Sequence, residues 1–226
     1  MTTTENLKYI QNQLPAKVKL VAVSKTKSVD QILEAYQTGQ RLFGENKVQE
    51  LIAKWQELPK DIEWHYIGHL QSNKVKQIVP FVSFIHGVDS FKLLTTINKE
   101  AEKCNRVIPV LLEFHIGEEE SKFGLTLKDA EEILSMPEIG SLKNITIAGV
   151  MGMATFTDDE NQIRKEFANL KIYFDKLKSD YFANIPDFKE ISMGMSGDYL
   201  IAVKEGSTMV RIGSTIFGER DYSLKT

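Results

Sequence analysis

The sequence predicts an α/β fold: a single closed (β/α)8 barrel of the TIM type over residues 1–226, with an extra helix before the first strand. Eight short apolar, β-branched runs recur along the chain, with helix-patterned segments between them. No glycine follows the first run, where Ser24-Lys25-Thr26-Lys27 stands, so an open doubly wound sheet lacks its glycine-rich turn. The 226 residues fit one compact barrel, a little under the roughly 250 usual for the fold. No repeat, low-complexity tract or proline-rich linker divides them.

Each element has its own signal. Residues 5–14 supply the leading helix. Strands are expected at 18–24, 41–45, 63–67, 84–88, 107–114, 146–151, 190–193 and 209–212, each an apolar run bounded by polar or glycine-bearing segments. Ile32, Leu33 and Tyr36 share one face of the first crossover helix, and Phe167, Leu170, Phe174 and Leu177 mark a later one at helical spacing. A short helix is expected from about Asp198 to Lys204.

Composition narrows the function classes. With 28 basic and 31 acidic residues interspersed and a formal charge of −3, nothing draws nucleic acid or an anionic membrane, so any anion is held locally. One cysteine, Cys104, excludes an internal disulfide, and His65, His69, His86 and His115 are scattered without the companions of a zinc site. No basic segment with a following apolar run opens the chain, and no run approaches the roughly 18 apolar residues of a membrane helix. A cytoplasmic setting follows, and with no oligomer seam visible the expected state is a monomer.

Chemistry-bearing residues gather at the ends of the expected strands, the end of a barrel that carries sites. Lys25 closes the first strand, and alternation puts it on the same side as Val21 and Val23, so it faces the interior if they do. The competing reading is an ordinary solvated lysine. Lys27 has the same parity and belongs to the rim. Ser192-Met193-Gly194-Met195-Ser196-Gly197-Asp198 ends the seventh strand and opens a helix, where Ser196 offers a hydroxyl and Gly197 lets backbone N–H groups approach a phosphate. Gly213 and Ser214 follow the eighth strand and could complete the cradle, although both segments are also ordinary turn chemistry. Arg211 points inward if Val210 and Ile212 point outward; its alternative is an ion pair with a core carboxylate such as Glu45. Asn46 reads as the N-cap of the helix carrying Val48 and Leu51. His69 is a conceivable acid or base, and Met151, Met153 and Met195 offer apolar surface at the mouth or simply fill the core. An amine at one strand mouth and a distant phosphate cradle together suggest pyridoxal phosphate.

Several ordered segments carry a family likeness: Ala22-Val23-Ser24-Lys25-Thr26-Lys27, Phe43-Gly44-Glu45-Asn46 with Val48-Gln49-Glu50, Trp64-His65-Tyr66-Ile67-Gly68-His69-Leu70-Gln71-Ser72-Asn73-Lys74, Ser192-Met193-Gly194-Met195-Ser196, and Gly206-Ser207-Thr208-Met209-Val210-Arg211-Ile212-Gly213, continuing through Ile216-Phe217-Gly218 to Arg220-Asp221-Tyr222. Through these the chain resembles the pyridoxal phosphate homeostasis proteins, whose barrel is similar to the N-terminal domain of alanine racemase. Ser28 stands where many members have proline.

The resemblance implies that Lys25 holds pyridoxal 5'-phosphate as an internal Schiff base. It implies too that Ser196, Gly213 and Ser214 hold the phosphate and that Arg211 faces the pyridine nitrogen. With Asn46, Met151 and Gly197 added from the residues themselves, the expected cofactor-binding set is Lys25, Asn46, Met151, Ser196, Gly197, Arg211, Gly213 and Ser214, with no catalytic residue and no metal ligand. Burial of Lys25 beside Arg211 favours the neutral amine that Schiff-base formation needs. An arginine at the ring nitrogen, unlike a carboxylate, makes a poor electron sink. The expectation is therefore a protein of intracellular pyridoxal phosphate (vitamin B6) homeostasis and delivery, with apo forms of pyridoxal phosphate enzymes as acceptors. The alternative is a small amino-acid racemase, for which a chain ending at Thr226 leaves no room for a second domain and Tyr222 is the nearest tyrosine.

Overall fold

In the computed structural model, which describes residues 2–118 and 123–219, eight parallel strands join in chain order and close on themselves. They are β1 (Lys19–Val23), β2 (Leu42–Glu45), β3 (Glu63–Tyr66), β4 (Phe84–Val88), β5 (Ile108–Phe114), β6 (Ile145–Gly152), β7 (Glu190–Ser192) and β8 (Met209–Ile212). Every boundary lies within one residue of the sequence expectation. The closing seam pairs Lys19 with Met209 through Ala22 with Ile212.

Helix α1 (Thr3–Gln13) precedes the barrel. It starts two residues before the expected position because Thr2 and Glu5 cap each other's backbone N–H groups. One helix then follows each strand: α2 (Val29–Gln37), α3 (Val48–Glu57), the single-turn α4 (Val75–Ile78), α5 (Phe91–Lys103), α6 (Leu127–Leu134), α7 (Glu160–Asp180), α8 (Tyr199–Lys204) and α9 (Ser214–Phe217). Ser28 is the N-cap of α2 in a reciprocal box with Gln31, which gives the serine a local role where a proline N–H would be absent. No helix of the described residues is long and apolar enough to cross a membrane.

Alternation along the strands sorts the side chains into two compartments. Outward residues such as Leu20, Ala22, Phe43, Trp64, Ile85, Leu112, Val210 and Ile212 are buried under the helices, against Leu7, Ile32, Leu51, Ile97, Phe167 and Leu170 among others. Each fully buried large apolar side chain contributes roughly 1.5–3 kcal/mol, so this annulus dominates the stability. Inward residues are fewer and more polar. An apolar plug of Leu111, Ala148 and Met151, flanked by Phe84 and Met153, fills part of the interior. At the N-terminal end of the barrel the Lys19 Nζ meets Glu190 Oε1 at 2.5 Å, and Thr208 donates to the other carboxylate oxygen at 2.8 Å.

The β5–β6 register shifts after Val110, and Gly149 sits at the irregularity with φ +151°. A Cβ there would lie 1.8 Å from the Glu190 carbonyl oxygen, which no rotamer relieves because both atoms are fixed to the backbone. Gly149→Ala is expected to destabilise the fold by about 3 kcal/mol or more, read from the urea midpoint. A midpoint within experimental error of the parent would show that β7 can step away at little cost.

Candidate functional site

The first strand ends in a tight turn rather than running straight on. The Ser24 N–H continues the ladder to the Gly44 carbonyl at 3.0 Å, and the Lys27 N–H then donates to the Ser24 carbonyl at 3.0 Å, with Lys25 and Thr26 between them. Strand alternation therefore reaches only to Ser24 and does not itself orient Lys25. The residue is half-buried, not enclosed. Lys27 sits at the rim as expected, donating to the carbonyls of Phe217, Gly218 and Glu219 at 3.1, 2.9 and 2.8 Å. It ties the turn after β1 to the end of α9.

The loops after β7 and β8 meet. Ser196 Oγ accepts from the Gly213 N–H at 3.3 Å and from the Thr215 N–H at 3.5 Å. Both contacts exceed the usual length of about 2.9 Å, so two main-chain donors converge on one loosely held hydroxyl. Gly197 is exposed in the same loop, and a Cβ there would meet nothing. At Gly213 a Cβ would lie 3.2 Å from the Val23 carbonyl oxygen, so the absence of a side chain lets this loop close against the end of β1. Ser214 is exposed at the first position of α9. The sequence reading brought Ser196, Gly197, Gly213 and Ser214 together but missed Thr215, whose contribution is a backbone group that any residue type could make.

Arg211 points inward and is buried, with Val210 and Ile212 outward. Its Nη1 donates to the carbonyl and hydroxyl oxygens of Ser192, both at 2.7 Å, and Nη2 to the Gly152 carbonyl at 3.1 Å. Burial pulls the guanidinium down to about 10, opposed by the charges of Glu113 and Asp198. The expected alternative partner, Glu45, lies elsewhere. It accepts from Lys54 at 2.7 Å and from Ser24 Oγ at 2.6 Å. Glu113 is an inward carboxylate at the top of β5, and its Oε2 is buried without a hydrogen-bond partner. Burial first, and the neighbouring charge of Asp89 second, push it to about 7 against the pull of Arg211.

The histidines scattered in sequence are not scattered in space. His65 Nδ1 and His86 Nε2 lie 2.9 Å apart inside the barrel, and His86 Nδ1 lies 3.0 Å from Ser192 Oγ, completing a chain to Arg211. Strand parity could have found this pair, since Trp64, Tyr66 and Ile85 all face the outer core. No group of three or more potential metal ligands occurs among the described residues. His69 stands at the mouth, stacked on Phe123 with ring centroids 4.0 Å apart and 3.3 Å from Asp89.

Asn46 does not cap α3. The chain bends at Asn46, and the extended Lys47 occupies the cap position without a side-chain bond, while the Asn46 carbonyl accepts from Tyr66 Oη at 3.1 Å. Its backbone lies so close to Gly68 that a Cβ there would sit 2.6 Å from the Asn46 oxygen. Met151 is sealed within the interior plug, whereas Met153 and Met195 are half-buried. Tyr222 lies outside the described residues.

Buried titratable groups of opposite tendency give the stability a distinctive pH profile. Burial lowers His65 to about 3 and His86 well below 6.5. As pH falls below 6.5 the unfolded chain takes up protons that the folded chain refuses, and each histidine costs about 1.4 kcal/mol of stability per pH unit. Glu45 and Glu113, raised to about 7 from 4.5, act the other way: the folded chain binds their protons first, so stability grows as pH falls from 7 to 4.5. The expected urea midpoint is nearly level between 6.5 and 4.5 and falls steeply below 4.5. Glu113→Gln removes one compensating group and should tilt the level segment downward towards acid. An unchanged profile in that variant would contradict the balance.

Comparison with known proteins places this arrangement among relatives. Residues 2–221 match the family described as "Alanine racemase, N-terminal domain". A pyridoxal phosphate homeostasis protein of Vibrio alginolyticus is 39% identical over 97% of this chain and 98% of its own. The human protein of that name is 42% identical over 94% of this chain and 80% of its own. Among solved structures, PipY of Synechococcus elongatus PCC7942 with PLP bound superposes with a TM-score of 0.86 at 35% identity, covering 96% of this chain and all of that one (100%). Alanine racemase of Clostridium difficile shares the fold, with a TM-score of 0.76 at 16% identity over 98% of this chain and 61% of the racemase.

Proposed function

Because the chain belongs to the alanine racemase N-terminal domain family, and within it to the pyridoxal phosphate homeostasis proteins, we propose that it binds pyridoxal 5'-phosphate as a Schiff base on Lys25 and serves intracellular homeostasis and delivery of that cofactor. The observation that carries the reading is the juxtaposition at the β8–β1 seam. Two backbone N–H groups of the loop after β8 converge on Ser196, and the same loop closes at Gly213 against Val23, two residues before Lys25.

The cofactor brings an aldehyde for a neutral amine, a phosphate for convergent donors and a pyridine nitrogen for a ring partner. Lys25 supplies the amine, from a turn that leaves it half in water. Ser196, Gly197, Gly213 and Ser214, joined by the Thr215 N–H, supply the phosphate donors. Arg211 has only donors to offer and is held by Ser192 and Gly152, so it keeps a proton off a ring nitrogen facing it. Asn46 borders the ring space, and Met151, sealed in the interior plug, backs it rather than lining it. The one-domain barrel acts as a cytoplasmic monomer that passes its cargo to apo enzymes and has no robust catalytic activity of its own. Racemisation is disfavoured by the same arginine, which withholds the electron sink that α-carbanion chemistry needs.

The test is direct. The full chain is incubated with pyridoxal phosphate, reduced with borohydride and digested, and the tagged peptide is located by mass. A tag on Lys25 is expected; tagging elsewhere only, or none, overturns the reading.

A further inference from the structure

The turn that carries Lys25 is gripped on both flanks by residues the cofactor reading does not use. Lys54 is buried, 5% exposed, on α3, and its Nζ donates to the Ser24 carbonyl at 2.6 Å, Glu45 Oε1 at 2.7 Å and Glu50 Oε1 at 2.7 Å. These three acceptors use the full donor capacity of an ammonium group. Glu50 Oε1 also takes the Thr26 N–H at 2.5 Å, and Ser24 Oγ donates to Glu45. The residue before Lys25 and the residue after it are thus bound to one ion cluster spanning β2 and α3.

The grip has something to hold. Thr26 has φ +66°, a left-handed conformation that a β-branched residue adopts at a cost of about 1–3 kcal/mol. Left to itself the turn would relax towards negative φ and re-aim the Lys25 backbone. A buried ion cluster of this kind is seldom a net source of stability compared with apolar packing, so its value lies in the geometry it enforces.

We propose that Glu50 and Lys54 are positioning residues for Lys25, holding its turn in the strained form that presents the amine to an incoming aldehyde. The inference rests on the cofactor reading above. Glu50 acts on Thr26 directly, while Lys54 fixes Glu50 and the Ser24 carbonyl at once. The cluster touches neither Ser196 nor Gly213, so its influence on the amine is separable from phosphate binding.

The experiment mixes pyridoxal phosphate with the full chain and follows imine absorbance over time and pH, with borohydride tagging to locate the product. Inorganic phosphate, as a competitor, measures the cradle independently. Glu50→Ala should slow tagging of Lys25 by about tenfold or more, as expected for a misplaced reacting group, and leave the phosphate competition constant unchanged. Glu50→Gln, which retains an acceptor for the Thr26 N–H, should recover most of the rate. Lys54→Met alone strands Glu45 in the interior and risks unfolding, so it is paired with Glu45→Gln; the double variant should slow tagging like Glu50→Ala. Parent-like rates and pH profiles in both Glu50→Ala and the double variant would overturn the proposal. Parallel loss of phosphate competition would overturn it too, by marking general loosening. A parent chain that takes no tag at Lys25 would instead sink the cofactor reading, and this inference with it.

Discussion

Lys25→Ala is expected to abolish the borohydride-trapped adduct and its imine absorbance completely, while the thermal midpoint stays within the equivalent of about 1 kcal/mol of the parent. The two halves have separate causes. The side chain is half-buried in a turn, so its removal opens no core cavity. The neighbouring lysines cannot readily substitute: Lys27 is committed to three carbonyl oxygens of residues 217–219, and Lys54 to Ser24, Glu45 and Glu50. Non-covalent binding through the cradle should persist more weakly and be displaced by inorganic phosphate. An adduct of undiminished yield in the alanine variant, on any lysine, would mean that Lys25 is not the amine that matters.

Arg211→Met should be the most damaging single substitution at the site, costing about 3–5 kcal/mol in urea denaturation. The guanidinium satisfies the Ser192 carbonyl, the Ser192 hydroxyl and the Gly152 carbonyl, all deep in the barrel. It also offsets the buried charge of Glu113 and Asp198, whose carboxyls burial already pushes upward. Methionine restores the volume and none of these interactions. Arg211→Lys should recover part of the loss, because one ammonium keeps the charge but cannot reproduce the planar fork to β6 and β7. A methionine variant within about 1 kcal/mol of the parent would show that water takes over these acceptors.

The strands were legible because a parallel barrel writes its sheet as short β-branched runs, and the runs ended where the residues became polar. The meeting of Ser196 with Gly213 was legible for a related reason: the two follow neighbouring strands, and adjacency follows from chain order in this fold. What stayed hidden depends on partners chosen across elements. Lys54 reads as a helix-surface lysine paired with Glu50 at i, i+4, yet Leu51 and Leu58 share its face, and that spacing could have marked it as inward. Glu45 looked like a partner for Arg211 because both were expected in the interior; parity separates them, one under α3 and the other within the barrel. Asn46 has the right residue type for a cap, but it sits in a bend fixed by the close approach of Gly68 and the Tyr66 hydroxyl bond, which leaves the cap position to Lys47.

The pairing of β1 with β8 joins residues about 190 positions apart, and the two halves of the site hang from that one junction. On the proposed reading, ligand capture belongs to the closed ring: during synthesis Lys25 emerges early and waits for β8 before the donors assigned to the phosphate are in place. Contacts this distant form slowly, so an immature chain would expose a lysine with no cradle to select its aldehyde. Cofactor bound across that seam would, by mass action, favour the closed barrel over molecules whose eighth strand has frayed.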